Sequence, residues 1–184
     1  MNVADARDLA RKHLEHELPK RWLHVQAVAA TAARLGETIG WGDLAVRAAW
    51  LHDIGYAADL VEVGFHPLDG ARALRRLGWP DDVVGLVAHH SAAVIEARMR
   101  GLTTEFRSEF EDVESVDRDV LWVADATTGP DGQLMTVADR VSDVIARYGA
   151  GSLVGQCMRE APSHLDAAVN RLVQAGAVVV GQPM

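Results

Sequence analysis

The sequence predicts an all-α fold, a single-domain helical bundle, and three observations carry that expectation. Apolar residues recur with helical spacing along nearly the whole chain. No alternating run of β-branched residues is long enough to force a sheet. Prolines and glycines fall where helices begin and end. A chain of 184 residues, 49% hydrophobic, is long enough for one domain with a full core. Neither a metal nor a disulfide is needed merely to keep it folded.

Taken in order, residues 4 to 17 make a polar first helix that stops before Pro19. A second helix, from about 21 to 38, places His24, Val28, Thr31 and Leu35 on one stripe and ends in the glycines at 36 and 40. Asp43 can cap a third helix, with Ala45, Ala48, Ala49 and His52 on one face and Gly55 as a left-handed stop. Pro67 opens a fourth, with Leu68, Ala71, Leu74 and Leu77 inward and Gly78 closing it. Pro80 opens a fifth that carries Val83, Val87 and the pair His89-His90. From Thr103 to Asp119 the chain turns acidic, with Phe106 and Phe110 as its large apolar anchors, and reads as a partly helical, solvated excursion or lid. Core character returns from Val120 to Ala126, before the turn sequence TTGPDG at 127 to 132. Helices at about 133 to 148 and 163 to 175, with a short one at Leu153 to Glu160, close the chain through residue 184. The five tryptophans, Trp22, Trp41, Trp50, Trp79 and Trp122, are expected in the core, and His13, His16 and His164 on the surface.

Charge and cysteine content narrow the functional classes. A formal net charge of -8 argues against a polymeric nucleic acid or an anionic membrane as partner, because both need clustered Lys and Arg. Small anionic substrates remain compatible, since a divalent ion reverses the local sign. Cys157 is the only cysteine, so no intrachain disulfide can form, and a reducing, cytoplasmic compartment is the simplest expectation. No apolar stretch approaches the roughly 18 to 20 residues of a membrane span. A homodimer is compatible with the sequence.

The chemistry is expected where polar residues interrupt apolar faces. His24 lies on the stripe of its helix, and AWLHDIGY, residues 49 to 56, ends an apolar helix on His52 and Asp53. His66 precedes a helix, His89 and His90 end another, and Asp125 ends the last apolar run before a turn. A buried polar group without a partner costs about 1 to 3 kcal/mol, and one divalent ion would satisfy several of these at once.

This order resembles the HD-domain superfamily of metal-dependent phosphohydrolases. "LHDIG" has the form of the family doublet, "WLHVQAV" resembles the helix of its first histidine, and "HPLDGARALRRLG" the segment after its third. "LVAHHSAA" resembles the stretch around its fourth histidine and "VLWVADATTG" the helix of its closing aspartate, so the likeness covers residues 20 to about 130. The resemblance implies one or two divalent ions, with iron, manganese and zinc all compatible with mixed imidazole and carboxylate ligands. It implies His24, His52, Asp53 and Asp125 at a first ion, with Asp53 bridging to a second held by His66 and either His89 or His90. The implied reaction is in-line attack of a metal-activated water on phosphorus, in a nucleotide or another small phosphorylated metabolite.

Arg72, Arg75 and Arg76 follow His66 on the next helix; any that faces the site could grip a phosphate, although a solvated face competes with that reading. Thr127 and Thr128 could add hydroxyl contacts, and Asp69 could orient water or serve the leaving group. Twelve residues separate the doublet from His66 and thirty-four separate His90 from Asp125. The first gap is shorter, and the second longer, than in HD enzymes that cleave symmetrical dinucleoside tetraphosphates. The chain also lacks the GYP motif of cyclic-di-GMP phosphodiesterases. Two other readings share the ligand order: an HD-type di-iron oxygenase, and a noncatalytic binding module with a structural metal.

Overall fold

Small side chains put one short helix at the centre of the molecule. The computed structural model describes residues 1–179, and within it Ala45, Ala48 and Ala49 of α3 (Leu44–Leu51) are all buried. They let α3 pack at once against α1 (Val3–Leu14), α2 (Pro19–Ile39), α5 (Asp81–Ala88) and α8 (Val116–Ala126). A 3-10 turn at Ile54–Tyr56 leads to α4 (His66–Arg76), and a second one at His90–Ala92 leads from α5 to α6 (Ala93–Met99). The described residues continue through α7 (Thr103–Glu109), then α8, α9 (Val137–Tyr148), α10 (Leu153–Glu160) and α11 (Pro162–Gln174). They hold no strand, only an isolated antiparallel bridge between Thr128 and Leu134 where the turn sequence TTGPDG stands. The all-α, single-domain expectation is met.

The main core runs through α1 to α5 and α8, with Leu14, Val25, Leu51, Ile54, Leu68, Leu74 and Leu121 fully enclosed. A smaller apolar cluster joins α6, α8, α10 and α11 through Ile95, Trp122, Cys157, Ala161 and Leu165.

Several local expectations change. The first helix ends at Leu14, short of the expected 17. Asp43 occupies the cap position of α3 but makes no side-chain cap bond; its carboxylate lies 3.2 Å from Arg47 instead. Gly55 is not a left-handed stop, since its φ is not among the positive ones. It is glycine because a Cβ there would stand 2.1 Å from the carbonyl oxygen of His66 and 2.6 Å from the amide of Gly70. That close approach clamps the start of α4 against the turn that follows Asp53.

The acidic excursion ends at Ser115, whose side chain caps α8, so Asp117, Arg118 and Asp119 belong to a buried helix start and not to solvent. Phe106 and Phe110 are buried anchors. Helix α6 was not expected at all. The chain enters it through Ser91 and Ala92 at φ 49° and 57°, left-handed values that non-glycine residues adopt only at a cost. Trp41 is 48% exposed rather than in the core, with its indole N–H donated to Asp117. Of the closing segment, residues 180–184 lie outside the described residues.

Candidate metal centre and substrate cavity

Four helix ends and one helix interior converge on a single point. α2 supplies His24, the end of α3 supplies His52 and Asp53, the start of α4 supplies His66, the turn after α5 supplies His90, and the end of α8 supplies Asp125. Helix ends are suited to this, because their backbone carbonyls are free to bind side chains. The Nδ1 of His52 lies 2.8 Å from the Ala49 carbonyl, that of His90 2.6 Å from Val87, and that of His24 3.0 Å from Gly129. A carbonyl only accepts, so each Nδ1 carries the proton and each Nε2 offers a lone pair.

Those lone pairs face other acceptors. Nε2 of His24 lies 2.9 Å from Oδ1 of Asp125, and Nε2 of His52 lies 3.8 Å from the same oxygen. The His66 and His90 Nε2 atoms are 3.1 Å apart, and His66 Nε2 is 3.5 Å from Oδ1 of Asp53. The other Asp53 oxygen faces His52 at 3.6 Å and His24 at 4.0 Å. Two triads result, His24-His52-Asp125 and Asp53-His66-His90, each with its donor atoms within 4.8 Å of one another.

A convergence of acceptors needs protons or cations between them. Burial, reinforced by the neighbouring His90, pulls the His66 pKa well below its ordinary value; burial and His52 lower that of His90. Both rings are therefore held neutral, the state that binds metal. Burial opposes charge on His24, but its bond to Asp125 outweighs this and raises its pKa. The carboxyl groups of Asp53 and Asp125 are held well below the usual range: burial works against ionisation, and Arg21 with the surrounding histidines overcomes it at Asp53, as His24 and His52 do at Asp125. The Nε2 of His52 is buried with no hydrogen-bond partner among the described residues. An orphaned imidazole lone pair beside a carboxylate, its Nδ1–H fixed by a carbonyl, is the donor set of a metal ligand, so the residues present fit divalent ions.

His89 stands apart. Its Nε2 bonds the Phe110 carbonyl at 3.0 Å and its ring packs on Phe106, on the far side from the cluster. His90, not His89, joins the cluster, immediately before the kink at Ser91 and Ala92. Ser91 itself donates its hydroxyl to Asp125.

The cluster forms one wall of a cavity of about 450 Å3. Lys20, Arg21, Arg100, Arg140 and Arg147 line it, five of the 18 basic residues of a chain whose net charge is -8. Arg21 reaches Oδ2 of Asp53 at 2.8 Å while its guanidinium lies 4.0 Å from the centre of the Tyr56 ring, which is stacked on His66. Arg140 lies 3.9 Å from Asp125.

The other expected substrate residues sit elsewhere. Arg72 bonds Glu109 at 2.9 Å, also pairs with Glu105 and Glu62, and is absent from the cavity lining; Arg76 pairs with Glu62. The hydroxyls of Thr127 and Thr128 are buried, bonded within α8 to the Val123 and Ala124 carbonyls. Asp69 is fully buried, accepts from the amides of Val63, Gly64 and Phe65, and is not in the cavity lining, so it fixes the loop that delivers His66.

Sequence reasoning missed Arg21, Tyr56, Ser91 and Arg140. Arg21 carried a usable signal, since it precedes His24 by three residues and shares its helix face. Arg140 carried none, being one of several arginines on amphipathic helices.

The HD domain profile matches residues 21–143, well over half of the chain. The chain belongs to the HD-domain superfamily of metal-dependent phosphohydrolases. Among curated proteins it is similar to one named Ribonuclease Y from Rhodopirellula baltica, at 43% identity over 91 residues. That stretch is 48% of this chain but 17% of the relative, so the chain spans less than a fifth of that protein's length. No solved structure matches the chain.

Proposed function

We propose that this chain is a metal-dependent phosphohydrolase acting on a nucleotide or another small phosphorylated metabolite. The observation that carries the reading is the pair of triads joined by Asp53, whose two oxygens face opposite histidine sets. His24, His52 and Asp125 would hold one ion, His66 and His90 the other, and Asp53 would touch both. Bound there, divalent ions would supply Lewis acidity that lowers the pKa of water and neutralises phosphoryl charge.

The chain's own side chains do the rest. The carbonyls of Gly129, Ala49 and Val87 hold three imidazoles in one tautomer and orientation. Arg21 is poised at the cavity wall with one edge on Asp53 and its face on Tyr56, leaving donors for a phosphoryl oxygen. Arg140 and Arg147 extend the positive lining toward nonreacting anionic groups.

The name of the similar protein, Ribonuclease Y, favours a second reading, cleavage of RNA. The net charge of -8 and a cavity that suits a single small organic ligand favour the metabolite instead. Metal analysis of protein purified without chelators, followed by release of phosphate or of the leaving alcohol from phosphomonoesters, phosphodiesters and nucleotides, with an RNA oligonucleotide beside them, tests both. Full metal occupancy with no release from any member would overturn the phosphohydrolase reading, and shortening of the oligonucleotide alone would replace it with the second.

A further inference from the structure

The cavity has two unlike sides. Besides the ligands, the lining takes Val154, Cys157 and Met158 of α10 and Ala161 at its C-cap, the i, i+3, i+4, i+7 stripe of one helix face. Val144 of α9 and Ile95 of α6 extend it. Of these six residues Cys157 alone carries a hydrogen-bonding side chain: its thiol lies 3.5 Å from the Met99 sulfur, and burial pushes its pKa up to about 11, so it stays a neutral, weak donor, while Glu96 and Arg100, which line the cavity beside it, are paired with each other at 2.7 Å. The helix backbone behind it is engaged in its own bonds, down to the Ala161 amide on the Cys157 carbonyl at 2.9 Å. A sugar hydroxyl pressed against this face would lose water and gain no partner, at a cost of about fivefold or more in affinity.

The cavity volume of about 450 Å3 falls in the range that buries a whole organic ligand rather than a phosphoryl group alone. The apolar stripe and the ligand cluster line that same volume. We propose that the substrate is an amphipathic phosphate ester, its phosphoryl group at the histidine-aspartate cluster and an aromatic or aliphatic body against the α10 stripe. Polyhydroxylated sugar phosphates are thereby disfavoured. The phosphoryl end of this assignment rests on the phosphohydrolase reading; the apolar end rests on α6, α9 and α10.

Phosphonates, whose C–P bond is not hydrolysed by this chemistry, separate the two. Calorimetric titration of the metal-loaded protein compares methylphosphonate, 3,4-dihydroxybutylphosphonate and 1-naphthylmethylphosphonate. The naphthyl compound should bind at least about tenfold tighter than the methyl one, and the dihydroxybutyl compound no tighter than methyl. Val154→Thr and Met158→Gln change half-buried positions at nearly constant volume, and circular dichroism checks that each folds. Each should lower the naphthyl affinity about three- to tenfold and leave methylphosphonate unchanged.

Equal affinity for naphthyl and methyl compounds, tighter binding of the dihydroxybutyl compound, or folded variants that keep the full naphthyl preference would each overturn the proposal. Phosphate release from ordinary esters without any phosphonate preference removes the apolar subsite and keeps the phosphohydrolase. A naphthyl preference in a protein that hydrolyses no ester does the reverse.

Discussion

The two sides of the cavity are built by opposite rules. On the ligand side the functional groups are polar, and all but His66 are buried and held by a second bond: His24 by Gly129, His52 by Ala49, His90 by Val87, Asp53 by Arg21 and Asp125 by Ser91, while His66 is half-buried and stacked on Tyr56. On the α10 side the surface is an ordinary apolar stripe on a short helix. The first arrangement tolerates almost no exchange of residue type, because a metal-binding group needs a lone pair at a defined place. The second needs only shape and the absence of polar atoms. Chemistry is specified residue by residue, whereas selectivity is spread over a face.

The largest effect that tests this contrast comes from Asp53→Asn. The substitution keeps the volume and removes the charge that both histidine sets face. We expect metal lost from both triads and a rate lowered on the order of a thousandfold, read by metal analysis and phosphate release. A variant with full metal content and parental rate would show that Asp53 does not join the triads. His90→Ala should be milder, removing metal from the Asp53-His66-His90 triad, sparing His24-His52-Asp125, and slowing turnover on the order of a hundredfold. Loss of all metal would mean that the two triads do not act separately.

The apolar side yields a pH signature of similar size. Burial raises the Cys157 thiol from 9.0 to about 11, so at pH 8 its thiolate fraction falls about a hundredfold below that of an unperturbed thiol. Alkylation by iodoacetamide should be slowed by about that factor, then accelerate about tenfold per pH unit until about 11. The linkage has one sign: the fold favours the protonated thiol, so this contribution to stability is full below pH 9.0 and lost as pH climbs from 9.0 toward about 11. Bound 1-naphthylmethylphosphonate should slow labelling further. Rapid labelling at pH 8 would place Cys157 outside the apolar wall.

The ligand side was legible in the sequence because imidazoles and carboxylates at the ends of apolar helices are conspicuous. Even there, two features needed the fold. His89 and His90 are adjacent, and which ring faces the cluster is told by its partners, the Val87 carbonyl for Nδ1 of His90 and the Phe110 carbonyl for Nε2 of His89. Gly55 was legible as a special position but not for its reason, since the strand of backbone it must clear belongs to α4, eleven residues on. Asp69 looked catalytic because carboxylates near a metal cluster often are. Its three amide partners in the loop at 63 to 65 could not be seen from helical spacing. The apolar roof left no trace as a site, because its stripe is the same pattern that any core-facing helix shows.

The arginines put the same contrast to its finest test. Arg72 and Arg140 look alike in the sequence, each one of two or three arginines on an amphipathic helix. The acidic residues that claim Arg72, Glu105 and Glu109, arrive 33 and 37 positions later, a juxtaposition only the fold creates. Arg140 instead lines the cavity, its Nη2 3.9 Å from Asp125 and its Nη1 3.7 Å from Asp143, both beyond hydrogen-bond length. A phosphate oxygen beside the Asp125 end would give its guanidinium a close acceptor. Arg140→Gln should therefore raise KM about tenfold, the size of one charge-assisted contact, with metal content unchanged. Arg72→Gln loses only partly exposed ion pairs, which are worth less than about 1 kcal/mol, and should leave KM within about twofold. The reverse pattern, with Arg72 governing KM and Arg140 silent, would move the substrate off the α9 and α10 side and onto the face of α4 and α7.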